Sequence, residues 1–183
     1  MNYPVHTIDT APEAAKATLT AAQKGFGFIP NLLAVMSNAP ALVEAYTTLA
    51  KIFDSTSLTP SERQTVLLTV SYENNCEYCV AAHSAIAAMQ KVPQDAIGAI
   101  RAGTPIADGK LEALRRFTRA VVASRGWPTE ADLHAFFHAG YAEQQVLEVV
   151  LGVGLKTLSN YTNHVAETPL DAGFSAVAWT KAA

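Results

Sequence analysis

Apolar residues recur along this chain at the three- and four-residue spacing of amphipathic helices. A clear case is the segment 41–53, in which Leu42, Tyr46, Leu49 and Phe53 fall on one helical face. Alternating strand patterns and Asn-Gly hairpin signals do not occur anywhere in the sequence. The pattern therefore predicts an all-α, multi-helical fold.

Capping residues, prolines and glycines mark where these helices begin and end. Thr59, Pro60 and Glu62 predict a strong helix start, with Thr59 as the N-cap and Glu62 returning to it as in a capping box. That helix should end at Asn74 and Asn75. The other expected helical segments are 10–25, 32–37, 41–53, 76–90, 93–103, 108–125, 128–137, 142–166 and a last one from 171.

A faint internal repeat appears when the sequence is shifted by 81 residues. Two stretches then share a Glu-x-Gln opening, an apolar helix and a closing histidine. The matched pairs are Glu62 with Glu143, Gln64 with Gln145, and His83 with His164. The second stretch would lack the thiols of the first. We therefore expect a single domain over residues 1–183, with two degenerate helical repeats as a further possibility within it.

Composition favours one compact domain that associates with copies of itself. Half of the 183 residues are apolar and 16% are charged, which supplies a core and is rather apolar for a lone monomer. A net charge of −3 without a Lys/Arg cluster argues against nucleic acid and against an anionic membrane as partners. The N-terminus lacks signal-peptide features and no apolar run suffices to cross a bilayer, so we expect a cytoplasmic protein.

The candidate chemistry lies in the stretch ENNCEYCVAAHS, which contains both cysteines of the chain. In a reducing compartment, a close cysteine pair is typical of catalytic, redox or metal sites. If Asn74 or Asn75 caps the helix, Cys76 lies in its first turn, where the helix dipole favours a thiolate. Cys79 and His83 follow on the same face. A disulfide can therefore close, and the imidazole can take the Cys79 proton.

The spacing leaves the order of the two thiols open. Its place at the helix end favours Cys76 as the attacking group, whereas the neighbouring base favours Cys79, and we take Cys79 as peroxide-reactive and Cys76 as resolving. Simpler interpretations compete with this one. A zinc half-site is disfavoured because no second cysteine pair completes four ligands, the thiols can be small core residues, and His83 can be a core histidine. We therefore expect no metal and no cofactor.

The segment TPSERQTVLLTVSYENNCEYCVAAHS, within residues 58–90, resembles the signature of the alkyl hydroperoxidase D-like proteins of the carboxymuconolactone decarboxylase superfamily. The resemblance implies an all-helical subunit in a dimer, trimer or hexamer. It also implies antioxidant reduction of organic hydroperoxides through a redox-active disulfide, which an external dithiol of lipoyl or thioredoxin-like type reduces again. By this resemblance Cys79 is the nucleophile, Cys76 its disulfide partner and His83 part of the proton relay.

Two positions depart from the pattern of that family. The relay of the family usually includes a glutamate where this chain has Gln64, and glutamine cannot accept a proton at neutral pH. Glu62 is a carboxylate that could replace it. The best-studied family type carries a histidine between the cysteines, where this chain has Tyr78, whose phenol can donate a hydrogen bond but is no base. Both changes affect the expected mechanism more than the expected fold.

A second polar group lies in the stretch SNYTNHVAETPLD. Asn160, Asn163 and His164 are spaced i, i+3 and i+4, which predicts one shared helical face. Such a cluster either lines a pocket or satisfies a subunit contact.

Two other functions stay open alongside the peroxidase hypothesis. One is a lyase of the carboxymuconolactone decarboxylase type, with histidine as proton donor, although that chemistry does not need a dithiol. The other is a non-enzymatic oligomer whose assembly responds to disulfide formation.

Overall fold

A computed structural model describes residues 3–181 of the chain. Nine α-helices and one short 3₁₀ helix account for the regular structure of these residues, and they contain no strand. The α-helices are α1 (Glu13–Phe26), α2 (Asn31–Met36), α3 (Pro40–Asp54), α4 (Pro60–Glu73), α5 (Glu77–Met89), α6 (Gln94–Ala102), α7 (Gly109–Ala123), α8 (Glu130–His138) and α9 (Glu143–Ala166), and the 3₁₀ helix is Ala172–Val177. The all-α prediction is confirmed.

The start of α4 follows the predicted capping box. The Glu62 N–H donates to Thr59 Oγ1 at 3.3 Å, and the Thr59 N–H donates to the Glu62 carboxylate at 2.8 Å. These two bonds satisfy donors that a helix N-terminus otherwise leaves without partners. Helix α4 therefore begins at Pro60, one residue after its cap.

The break between α4 and α5 differs in detail from the prediction. Asn74 ends α4, and Asn75 adopts a left-handed backbone with φ of 54°, a conformation that asparagine tolerates better than most residues. Neither asparagine caps α5. Cys76 is itself the N-cap, with φ of −92° and ψ of 94°. The first cysteine thus precedes the first turn of α5, and Cys79 is the third residue of the helix.

Helix α4 is the centre of the molecule and packs against α5, α6, α7 and α9. Its middle, from residue 64 to residue 71, is buried throughout, so it has no solvent-facing stripe. The long helix α9 crosses α3 and α4 at Gly152. A Cβ at that position would lie 2.7 Å from Val66 and 2.9 Å from Phe53, so the close approach of the helices requires glycine.

The two-repeat organisation is not confirmed. Helix α9 continues unbroken for 24 residues, whereas the corresponding first stretch is interrupted between α4 and α5. His83 is partly buried, but His164 is exposed. Within residues 3–181, no helix combines the length and the apolar character that crossing a membrane requires.

Candidate active site

The break before α5 places both thiols inside the protein. Cys76 and Cys79 are each 1% exposed, and both are free thiols. The Cys76 N–H donates to the Ser71 carbonyl at 2.9 Å, and the Cys76 carbonyl accepts from the Val80 N–H at 3.0 Å. These backbone bonds hold the cysteine pair at the junction of α4 and α5.

A buried polar face of α9 lies against the thiols. Its members recur at one-turn intervals and are Lys156, Ser159, Asn160 and Asn163. The Asn163 Nδ2 donates to Cys79 Sγ at 3.2 Å and lies 3.8 Å from Cys76 Sγ. Ser159 Oγ lies 3.9 Å from Cys79 Sγ. Asn160 Oδ1 accepts from Asn74 Nδ2 at 3.0 Å, which ties α9 to the break before α5.

Lys156 is the functional candidate that the sequence analysis missed. Its side chain is 1% exposed, and its Nζ has no hydrogen-bond partner among the described residues. Burying an ammonium without a counter-charge is expensive. The sequence signal for it is a single lysine within the apolar run of α9. A single lysine does not indicate which residue it contacts in the folded protein. The fold supplies that partner as Cys79.

Charge and hydrogen bonding give the two cysteines different pKa values. Burial by itself would raise the pKa of Cys79, but the hydrogen bond from Cys76 and the positive charge of Lys156 outweigh it, so this pKa lies well below that of an ordinary thiol. The Cys76 thiol donates this hydrogen bond, and the bond together with burial raises the pKa of Cys76. Cys79 is therefore the thiolate and Cys76 the thiol.

Lys156 is stabilised as a cation by the same pair. Burial lowers the pKa of Lys156, but the charge of Cys79, together with the weaker influence of Tyr46 and Cys76, more than offsets that effect, and the pKa ends above its usual value. Each group therefore favours the charged form of the other. The site holds a buried thiolate–ammonium pair.

His83 is a neutral base in this arrangement. Its Nδ1 lies 3.0 Å from Gln64 Oε1, and Gln64 Nε2 donates to Gln90 Oε1 at 3.2 Å. With the Gln64 amide so oriented, the proton of the imidazole is on Nδ1 and Nε2 carries a lone pair. Burial and the charge of Lys156 place the pKa of His83 well below its usual value. No described hydrogen bond joins His83 to Cys79.

Cys79, His83, Gln64 and Lys156 all line one cavity of about 560 Å³. The rest of its wall is mainly apolar, and the larger side chains there are Leu32, Leu33, Phe53, Leu67, Leu155 and Phe174. Two further lining residues, Phe26 and Met89, are 47% and 80% exposed and mark the side that faces solvent. An apolar chamber with a few convergent polar groups is typical of a small-molecule site.

Tyr78 and Glu62 are engaged elsewhere. The Tyr78 hydroxyl donates to the Asp171 carboxylate and accepts from the Leu32 N–H, so it links α5 to α2 and to the chain before the 3₁₀ helix. Burial and the Asp171 carboxylate raise the pKa of Tyr78. The Glu62 carboxylate pairs with Lys110 at 3.1 Å in addition to its capping bond, and it does not line the cavity.

The expectation that Asn160, Asn163 and His164 share one face needs correction. Both asparagines are buried beside the thiols, whereas His164 is exposed and stacks on Tyr161 with ring centroids 6.4 Å apart. The buried face of α9 continues from Lys156 through Asn160 to Asn163. One further residue turns the side chain by about 100°, which carries His164 away from that face.

Residues 40–122 match the model of the carboxymuconolactone decarboxylase family, a range that extends from α3 to α7 and contains both cysteines. No protein of curated function matches the chain.

Solved structures share the fold over nearly the whole chain. A peroxidase-related protein from Ralstonia eutropha, described as an alkylhydroperoxidase AhpD core, is 23% identical, with 94% of this chain and 93% of that chain covered and a TM-score of 0.83. A peroxidase-related protein from Silicibacter is 17% identical, with coverages of 95% and 92% and a TM-score of 0.80.

A third similar structure contains a ligand. It is a Cys-to-Ala variant of the debrominase Bmp8 in complex with 2,3,4-tribromopyrrole, and it is 18% identical. The match covers 97% of this chain and 95% of that chain, with a TM-score of 0.80. At these identities the likeness establishes the common fold.

Proposed function

The chain carries a carboxymuconolactone decarboxylase family domain over residues 40–122, and from that premise we propose that it is a thiol-dependent peroxidase acting on organic hydroperoxides. The observation that carries the proposal is the buried pair of unlike thiols, in which the Cys79 thiolate faces a cavity and the Cys76 thiol lies beside it. A thiolate is the form that attacks peroxides, and a neighbouring thiol is what resolves the product.

The cycle has three steps. The Cys79 sulfur attacks the terminal oxygen of the hydroperoxide, the O–O bond breaks, and a sulfenic acid and an alkoxide result. The Cys76 sulfur then attacks the Cys79 sulfur, and the departing hydroxide takes the Cys76 proton to leave as water. Finally an external dithiol supplies two electrons and two protons, which reopen the disulfide.

His83 and Gln64 orient the substrate in this cycle. The lone pair on His83 Nε2 accepts a hydrogen bond from the hydroperoxide O–H, and Gln64 fixes the ring through Nδ1. Gln64 therefore replaces the glutamate of the family relay as a positioning residue, not as a base. The proposal assigns no such role to Glu62 or Tyr78.

The cavity favours a bulky apolar hydroperoxide over hydrogen peroxide. Its volume of about 560 Å³ and its mainly aliphatic and aromatic wall bind an alkyl or aryl group through apolar contact. The reductant is a dithiol of lipoyl or thioredoxin-like type. The subunit associates with copies of itself, which would cover the exposed apolar residues of α9, namely Leu147, Val150, Tyr161 and Val165.

The test is consumption of cumene hydroperoxide by the purified protein with dihydrolipoamide present. Wild type should turn over. Cys79→Ser should be inactive. Without dihydrolipoamide, wild type and Cys76→Ser should each consume one equivalent and stop, wild type as the Cys76–Cys79 disulfide and Cys76→Ser as the Cys79 sulfenic acid. Catalysis that survives Cys79→Ser would refute the thiol cycle, and a lactone decarboxylated by a variant without either thiol would identify a lyase. A change of oligomer on oxidation without turnover would identify a redox-responsive assembly.

A second candidate function is reductive dehalogenation of an aromatic ring. It is favoured by the apolar cavity beside the thiolate and by the fold shared with the debrominase that binds 2,3,4-tribromopyrrole. In that reaction the Cys79 sulfur takes the halogen from carbon, the ring carbanion gains a proton, and Cys76 displaces halide as the disulfide forms. Bromide release from 2,3,4-tribromopyrrole, with cumene hydroperoxide untouched, would select this function.

A further inference from the structure

Lys156 is a buried ammonium in the cavity wall whose proton the cycle described above does not use. Its Nζ has no hydrogen-bond partner among the described residues, although the side chain is 1% exposed. It lines the same cavity as Cys79 and His83 and is the one lysine or arginine among the described residues of that wall. An ammonium has three N–H donors, and that of Lys156 interacts with the Cys79 sulfur that the hydroperoxide must approach.

The peroxidase cycle creates a need for this donor. Cleavage of the O–O bond releases an alkoxide, which is a far stronger base than the thiolate that attacked. In the family pattern a glutamate and a histidine relay protons. Here the first is Gln64, and His83 has its proton on Nδ1, where Gln64 Oε1 accepts it. The side of the imidazole opposite Gln64 is therefore a base and not an acid.

Other groups of the wall are committed as well. The Tyr78 hydroxyl donates to Asp171, and Cys76 needs its proton for the water that leaves in the second step. Tyr46 also lines the cavity; burial raises the pKa of its phenol, and it is the competing donor to Lys156.

We propose, on the premise of the peroxidase function above, that Lys156 is the general acid that protonates the leaving alkoxide. The ammonium N–H bond breaks as the O–O electron pair departs with the alkoxide. The products of this step are the Cys79 sulfenic acid, the alcohol and a neutral Lys156 amine.

The charge on the site then balances through the whole cycle. When the disulfide forms, Cys79 is no longer an anion, and Lys156 has already lost its charge, so no cation is left buried without a counter-charge. After the dithiol has reopened the disulfide, the Cys79 thiol returns its proton to the Lys156 amine. The thiolate–ammonium pair is restored, and the chain needs no carboxylate at position 64.

The experiment varies the leaving group. Cumene hydroperoxide releases a strongly basic alkoxide, whereas peracetic acid releases acetate, which needs no proton. Single-turnover oxidation of Cys79 is followed with both oxidants in wild type, Lys156→Met and Tyr46→Phe. If Lys156→Met also lowers the fraction of Cys79 that is thiolate, oxidation by both compounds slows by the same factor. That factor cancels in the ratio of the two rates. Loss of a general acid should lower the ratio of cumene hydroperoxide to peracetic acid by roughly 10²–10⁴-fold.

Each outcome decides between the proposals. A ratio unchanged in Lys156→Met overturns the role of Lys156, and a ratio that falls in Tyr46→Phe instead assigns the acid to the tyrosine. Should Lys156→Met fail to fold, the wild-type enzyme is assayed with a series of hydroperoxides whose leaving alkoxides differ in basicity. A steep dependence of the rate on that basicity means that no general acid protonates the leaving group, and it overturns the proposal. Wild type that consumes peracetic acid and Cys79 alkylating agents but no alkyl hydroperoxide would refute the peroxidase function itself.

Discussion

Asn163 donates a hydrogen bond to Cys79, with Nδ2 3.2 Å from Sγ. Replacing Asn163 with leucine preserves the approximate volume and removes the donor. A hydrogen bond to a charged group contributes about 1.5–3 kcal/mol, and one pKa unit corresponds to about 1.36 kcal/mol. Since the donor favours the thiolate over the thiol, Asn163→Leu should raise the pKa of Cys79 by roughly 1–2 units.

Ser159→Ala is the matched control, because Ser159 lies on the same face of α9 but its Oγ is 3.9 Å from Cys79 Sγ. The Ser159 hydroxyl donates to the Lys156 carbonyl at 3.2 Å and not to the thiolate, so we expect a pKa change of about half a unit or less. The assay is a pH titration of the reduced protein by thiolate absorbance. Iodoacetamide alkylation and peptide mapping then assign the titration to Cys79.

The two variants separate the causes of the low pKa of Cys79. An unchanged titration midpoint in Asn163→Leu would refute the assignment to this hydrogen bond and leave the hydrogen bond from Cys76 and the charge of Lys156 as the causes. Equal shifts of the Cys79 pKa in Asn163→Leu and Ser159→Ala would indicate that any disturbance of α9 changes this pKa. The 3.2 Å hydrogen bond from Asn163 would then not be its specific cause.

Three further predictions concern packing, pH and Tyr78. Gly152→Ala should be less stable to urea than Gly154→Ala by about 1–3 kcal/mol, because a Cβ at position 152 meets Val66 at 2.7 Å whereas one at position 154 meets nothing within 4 Å; equal stabilities would contradict this. His83 stays neutral in the folded protein but binds a proton near pH 6.5 when unfolded, so the free energy of unfolding should fall by about 1 kcal/mol more in wild type than in His83→Gln between pH 6.5 and 5.5. If the free energy of unfolding had the same pH dependence in both proteins, the folded imidazole would titrate as it does in the unfolded chain. Tyr78→Phe should lower the free energy of unfolding by about 1–3 kcal/mol while the alkylation rate of Cys79 stays unchanged, and a large loss of that rate would mean that the phenol acts on the thiols.

Local signals in the sequence were sufficient for the helices. The capping box at Thr59 and Glu62 and the backbone N–H bonds of Asn74 and Asn75 join residues at most four apart, and the structure shows both features. Even there, the sequence did not predict which residue would be the N-cap of α5. Asn75 takes the left-handed conformation and leaves Cys76 as the N-cap, because asparagine can serve either role.

An all-helical chain with a Cys-x-x-Cys pair one turn before a histidine was predictable from local spacing, because spacing along a helix decides which side chains are neighbours. The chemical state of those groups depends instead on contacts between helices that are distant in the sequence. Lys156 is 77 residues from Cys79 in the sequence, and the packing of α9 against α5 makes it the counter-charge of the thiolate. The same packing buries Asn163 and exposes His164. Desolvation and long-range charge set the state of each thiol, and both depend on which helices meet in the folded protein.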